Sequence, residues 1–172
     1  MTQGKFVLFV PAVLALAMSG CGGGSSTEAN YVCPQPFTVG DASRLTHFRE
    51  GAGRDPRDIA YEATLLGAGS TCEVSRNRVD VTLLMRISVS AGPSVAAGRT
   101  SVPYFVRVLD ESNNVVQSQD FTAEFRLTTG NPRGTSQEEL QFSVPRTGAY
   151  RIAVGLRPTP EELNYNRRGR QP

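Results

Sequence analysis

Only one imidazole is available to this chain for acid–base chemistry. His47 is the single histidine among 172 residues, so any triad of nucleophile, base and orienting carboxylate has to use it. The nucleophile and the carboxylate would come from elsewhere in the fold, and chain spacing does not set their reach. No Gly-x-Ser-x-Gly elbow accompanies the histidine. The plain alternative is a histidine at the surface or at a helix end. The carboxylate pairs Glu138-Glu139 and Glu161-Glu162 are sequence neighbours. Neighbours on a strand point to opposite faces, so adjacency makes neither of them an acid/base couple. No catalytic residue is assigned, and the remaining catalytic reading is a hydrolytic site around His47.

The most heavily functionalised loop is GAGRDPRD, Gly51 to Asp58. Its glycines permit close backbone approach, and Arg54, Asp55, Arg57 and Asp58 could bind an ion or a partner protein. A phosphate cradle would need a Gly-Lys-Ser/Thr ending, which is missing. Calcium would need six or more oxygens, and two aspartates do not supply them. The plain reading is a loop with internal Arg–Asp pairs. Cys33 and Cys72 lie far apart and have one histidine to join them, which falls short of a metal-ligand cluster. No cofactor is expected. The C-terminal NRRGRQP carries Arg167, Arg168 and Arg170; it reads as a solvated basic tail over 161–172, or as a contact for anionic headgroups. Formal net charge is only +2, which leaves no field to steer a nucleic acid.

The elements that must position these residues repeat with period two. In VDVTLLMRISVS, Val79, Val81, Leu83, Met85, Ile87 and Val89 share one face, with Leu84 the exception on the other. Ile59 to Leu66, Val102 to Leu109, Val115 to Ser118, Phe121 to Leu127, Leu140 to Val144 and Tyr150 to Leu156 read as further strands. Ala91-Gly92-Pro93, Asp110 to Asn114 and Gly130 to Gly134 read as turns between them. In Pro103-Tyr104-Phe105, alternate residues are expected in the core rather than on a contact surface. Helix signals are thin. Asp41 to Phe48 offers one or two turns, with Leu45 and Phe48 three apart and Asp41 as N-cap; Pro160 to Leu163 offers another turn. Many short strands with regular turns predict an all-β domain over 32–160: an antiparallel β-sandwich, or alternatively a small antiparallel barrel.

Two stretches carry resemblances. VPRTGAYRIAVGL resembles the Pro-x-x-Gly-x-Tyr corner before a late strand of immunoglobulin-like sandwiches. There the tyrosine hydroxyl bonds a nearby backbone group across the corner. At the N-terminus, Lys5 precedes an apolar run from Phe6 to Met18, broken at Pro11. That run is too short to span a bilayer about 30 Å thick and reads as an export signal over 1–20. It ends in Met18-Ser19-Gly20-Cys21, which resembles the lipobox of bacterial lipoproteins. The resemblance implies cleavage before Cys21 and acylation of its thiol. Two or more acyl chains anchor stably where one does not.

The tether GGGSSTEAN, within 21–31, has almost nothing apolar to bury and reaches roughly 30 Å when extended. In two-membrane bacteria Gly22, where an aspartate favours inner-membrane retention, implies the periplasmic face of the outer membrane. Lipidation of Cys21 would leave Cys33 and Cys72 as an even pair in an exported chain, which predicts a disulfide. The expected function is that of a non-enzymatic, lipid-anchored envelope protein. It would be held to the bilayer through acylated Cys21 and bind another envelope protein as an assembly or accessory subunit. The alternatives are carriage of a small apolar or sugar ligand and, third, the hydrolase.

Overall fold

In the computed structural model the described residues are 31–51, 53–95, 98–128 and 130–168. Residues 1–30, with the expected export signal, Cys21 and nearly all of the expected tether, lie outside them. Among the described residues eight strands form two four-stranded sheets: β1 (Gln35–Thr38), β2 (Arg44–Phe48), β3 (Ile59–Val74), β4 (Arg78–Ala91), β5 (Gly98–Leu109), β6 (Val115–Leu127), β7 (Arg133–Pro145) and β8 (Arg151–Leu156). One sheet has the order β1-β8-β5-β6 and the other β2-β3-β4-β7. All pairings are antiparallel except β1 with β8. The two sheets stay separate, so the architecture is the sandwich and not the barrel. The last two strands lie in opposite sheets, whereas immunoglobulin domains keep theirs in one.

The core sits between the inner faces. Val79, Val81, Leu83, Met85, Ile87 and Val89 are all buried, and Leu84 is exposed on the outer face, as the alternation predicts. They meet Val102, Tyr104, Val106 and Val108 of β5 and Ile152, Val154 and Leu156 of β8. Each such side chain contributes about 1.5–3 kcal/mol by leaving water. Two tyrosines stitch the layers together. Tyr61 Oη donates to the Ser101 carbonyl at 2.9 Å, and Tyr104 Oη donates to Glu138 Oε2 at 3.1 Å. Burial first, then the nearby Glu162 or Glu138 carboxylate, pushes both phenols well above their ordinary pKa.

Several boundaries differ from the sequence reading. β3 continues eight residues past Leu66, through two glycines. A bulge between Leu65 and Gly67 shifts the register by one residue and puts Ala68, Ser70, Cys72 and Val74 opposite Met85, Leu83, Val81 and Val79. The apolar side of β4 thus keeps a partner along its length. β6 runs unbroken because Asp120, in the expected gap, faces outward between Arg107 and Arg157. Arg133 and Gly134, expected in a turn, belong to β7. The expected helical stretch 41–48 is a 3₁₀ turn at Gly40–Ala42 followed by β2. Leu45 and His47 face one way there, Thr46 and Phe48 the other. Of the expected basic tail 161–172, the described part belongs to a helix, α1 (Pro160–Arg168), and Arg170 lies outside the described residues. The tyrosine corner is present: Tyr150 Oη donates to the Thr147 carbonyl at 3.2 Å, next to Gly148 at φ +110°.

Cys33 and Cys72 are bonded, with Cα atoms 5.8 Å apart and a sequence separation of 39. The bond ties the segment before β1 to the far end of β3 in the opposite sheet. Ser70 Oγ reinforces it by donating to the Pro34 carbonyl at 2.6 Å. Replacing both cysteines by serine is expected to lower stability by about 3–4 kcal/mol, the loop-closure entropy of a loop this long. Urea midpoints of the variant and the oxidised parent check it, and equal midpoints would show that β1–β8 pairing alone holds this segment.

Candidate functional site

The site begins at the end of β8. Arg157 N–H donates to the Pro103 carbonyl at 2.9 Å, the last rung between β8 and β5. Pro103 has no N–H to return. The next rung would join Ser101 and Thr159, and it does not form. Thr159 instead becomes the N-cap of α1, in the reciprocal capping arrangement. Its N–H donates to Glu162 Oε2 at 2.8 Å, and Glu162 N–H donates to Thr159 Oγ1 at 3.3 Å. Pro160 supplies the preset φ of a first helical residue. The chain therefore peels away from β5 and lays α1 over the outer face of edge strand β2.

Three contacts fix the helix there. Asn166 accepts from Thr46 Oγ1 at 2.9 Å and donates to the Arg44 carbonyl at 3.0 Å, Tyr165 meets Phe48 edge-on, and Arg167 pairs with Asp41 at 2.7 Å. At the other end of the helix Glu162 reaches past the edge of β2 to His47, whose Nδ1 lies 2.8 Å from Oε1. Glu162 is only 5% exposed. Burial alone would raise its pKa. The hydrogen bond from His47, the Thr159 N–H and the charge of His47 outweigh burial and hold the carboxyl below its ordinary range. Because a carboxylate accepts only, Nδ1 carries the proton. His47 Nε2 has no hydrogen-bond partner among the described residues. The ring stacks on Tyr61, centroids 4.8 Å apart.

Two open clefts flank this pair. One, of about 530 Å³, lies between His47 and Tyr61 on one side and Arg99, Ser101 and Pro103 of β5 on the other, with Arg157 at its rim. The second, of about 600 Å³, runs over Phe48, Arg54 and the start of α1. The space between the sheets is filled. Leu45, Leu83, Met85, Ile87, Leu127, Ile152 and Leu156 are fully buried there, so ligand carriage finds no apolar chamber at the centre of the described domain.

In the 51–58 loop Asp55 and Arg57 pair with each other, and the other charged residues pair outside it. Asp55 accepts from Arg57 Nε at 2.9 Å and from its backbone N–H at 2.9 Å, which holds the Asp55 carboxyl below its ordinary range. Asp58 pairs with Arg49 at 3.2 Å. Arg54 leaves the loop to stack over Phe48 at 4.9 Å and to pair with Glu161 of α1. Of the four, Arg54 is the one that links the loop to the helix. His47 meets a buried carboxylate, as a triad histidine does, and hydrogen-bonds no hydroxyl or thiol among the described residues. Of the adjacent pairs, Glu138 faces inward to Tyr104 and Glu139 outward, as strand geometry requires. Among the described residues no cluster could hold a metal ion, and no helix is long and apolar enough to cross a membrane. No protein-family model matches the sequence, and no curated protein matches it.

Glu162 was not singled out as a site residue from sequence, although Thr159-Pro160-Glu161-Glu162 carries a capping signal with proline at the first helical position. Its depressed pKa gives a signed expectation. A carboxylate favoured in the folded state stabilises above its ordinary pKa, and the contribution is lost as pH falls through the folded value. Glu162→Ala should cost about 2 kcal/mol near neutrality, a buried charged hydrogen bond and a cap together. The gap between parent and variant should shrink below about pH 4. Urea melts of both across that range test it, and a pH-independent gap would show that the carboxylate charge is immaterial.

Proposed function

We propose that this chain is a non-enzymatic, lipid-anchored envelope protein that binds another envelope protein through its cleft end. The observation that carries this reading is the polarity of the sandwich. The Cys33–Cys72 bond holds the start of the domain at one end of β3, and Tyr61, in the wall of the His47 cleft, lies at the other. That stretch of β3 is roughly 36 Å long at about 3.3 Å per residue. The cleft thus lies at the opposite end of β3 from the disulfide that holds the first described residues. The lipobox resemblance supports the anchor, and Gly22 favours the periplasmic face of the outer membrane. Tethering to a surface raises the local concentration of both partners, so a modest interface suffices. The filled core, and a 51–58 loop whose charged residues already have partners, leave the cleft as the best surface for recognition.

Photo-crosslinking in intact cells tests the reading, with the probe at Ser101 in the cleft or at Asn77 in the β3–β4 turn. A single partner is expected at near-equal amount from Ser101, little from Asn77, and far less from either when Cys21→Ser removes the anchor. Capture from Asn77 alone, or from neither position, would overturn the reading.

A further inference from the structure

Sheet β1-β8-β5-β6 is incomplete at the cleft. β8 pairs with β5 only from Leu109 back to Tyr104, whereas β6 pairs with β5 all the way to Gly98. The first half of β5 is therefore an edge strand inside an otherwise central position. Alternate residues of a strand turn their backbone groups the same way, and the Pro103 carbonyl, bonded to Arg157 N–H, faces the vacated side. So do the backbone groups of Ser101 and Arg99. The Ser101 carbonyl takes Tyr61 Oη, and the Thr159 N–H that would have reached it is spent on Glu162. The Ser101 N–H, with the N–H and carbonyl of Arg99, is left without a partner among the described residues.

The other free edges are managed differently. Asn166 donates to the Arg44 carbonyl at the edge of β2, and Gln117 donates across the seam from β6 to the Ser143 carbonyl of β7 at 2.8 Å. The open part of β5 is instead recessed in the 530 Å³ cleft. Its outer side is short of negative charge. Asp120 is shared by Arg107 at 2.6 Å and Arg157 at 2.8 Å, and Arg99 finds Glu124 only at 4.0 Å.

We propose that the vacated place beside Arg99 and Ser101 takes an extended segment of the partner protein as an added strand, about three or four residues long, with a carboxylate side chain facing Arg99 and Arg157. This rests on the reading that the cleft binds a protein, and it specifies the chemistry of the segment bound. Main-chain pairing supplies the affinity, and the arginines with the His47–Tyr61 wall supply the selectivity. Pro103 ends the added ladder at one side, which keeps the edge too short to propagate into aggregates.

The probe is the capped tetrapeptide acetyl-Val-Glu-Val-Thr-amide, compared with the same peptide N-methylated at glutamate and with its Glu→Lys counterpart. At millimolar concentration the first should shift the Arg99 and Ser101 amide resonances and slow Ser101 amide exchange at least threefold. The N-methylated and lysine peptides should bind at least fivefold more weakly. Ser101→Pro, which removes an N–H facing away from β6, should abolish the response while Ser101→Ala keeps it. Equal binding of the N-methylated peptide would overturn strand addition, as would an unshifted Ser101 amide with every peptide. If crosslinking from Ser101 still captures a partner, the proposed function survives that result. If it captures none, both fail.

Discussion

The Glu162 carboxylate is claimed twice, by the Thr159 N–H and by His47 Nδ1, and both claims have long-range consequences. The first takes a backbone donor that would have continued the β8–β5 ladder. Once that rung is lost, the chain turns into α1, β5 keeps an open edge, and a cleft forms where a ninth strand segment would have packed. The second claim pulls the start of α1 against β2. The outer face of that strand, with Thr46 and Phe48, then acquires a cover. A five-residue edge strand with one covered face would otherwise have little to hold it. One buried charge thus organises the edge of one sheet and interrupts the other. Its burial is tolerable because both oxygens are hydrogen-bonded and because His47 supplies a donor beside it.

The remaining charges are of another kind. Arg57–Asp55, Arg78–Asp80 and Arg99–Glu124 are exposed pairs, and pairs of that sort contribute little to stability. They do cancel the local field. In the 51–58 loop the cancellation is nearly complete, since Asp55, Asp58 and Arg54 each have a partner within the chain. A partner protein docking there would have to break those pairs first. Around the cleft, Asp120 divides itself between two arginines and leaves guanidinium charge to spare.

The fold was legible where one force dominated. In β4 the alternation of apolar side chains is almost perfect, and the strand lies within a residue of its expected ends. The disulfide followed from counting cysteines once the lipobox resemblance had set Cys21 apart. Legibility failed where two signals competed. Leu45 and Phe48, three apart, suggested a helix face; in the structure Leu45 and Thr46 are both buried because sheet packing covers one face of β2 and α1 the other. The apolar pattern of Ile59 to Leu66 marks only the first half of β3, and cross-strand pairing with β4 carries the strand on through Gly67 and Gly69. Asn164 to Arg168 is polar enough to pass for a tail. What makes it helical is the cap at Thr159 and the fit of Tyr165 and Asn166 onto β2, and no local composition records that fit.

The site was half legible for the same reason. His47 drew notice as the only imidazole, yet its partner lies 115 residues away, and only the topology brings them together. Without the carboxylate, His47 would be a polar residue on the inner side of an edge strand. With it, Nδ1 is committed to Glu162 and Nε2 is turned to the mouth of the cleft. A triad histidine would have a hydroxyl bonded at that nitrogen. Here the Ser101 hydroxyl of the cleft lies 2.7 Å from Glu124 Oε1, and no hydroxyl among the described residues is bonded to His47. For the proposed strand addition, the unpaired N–H at Ser101 and the guanidinium charge on one side are the features that complement an extended acidic segment.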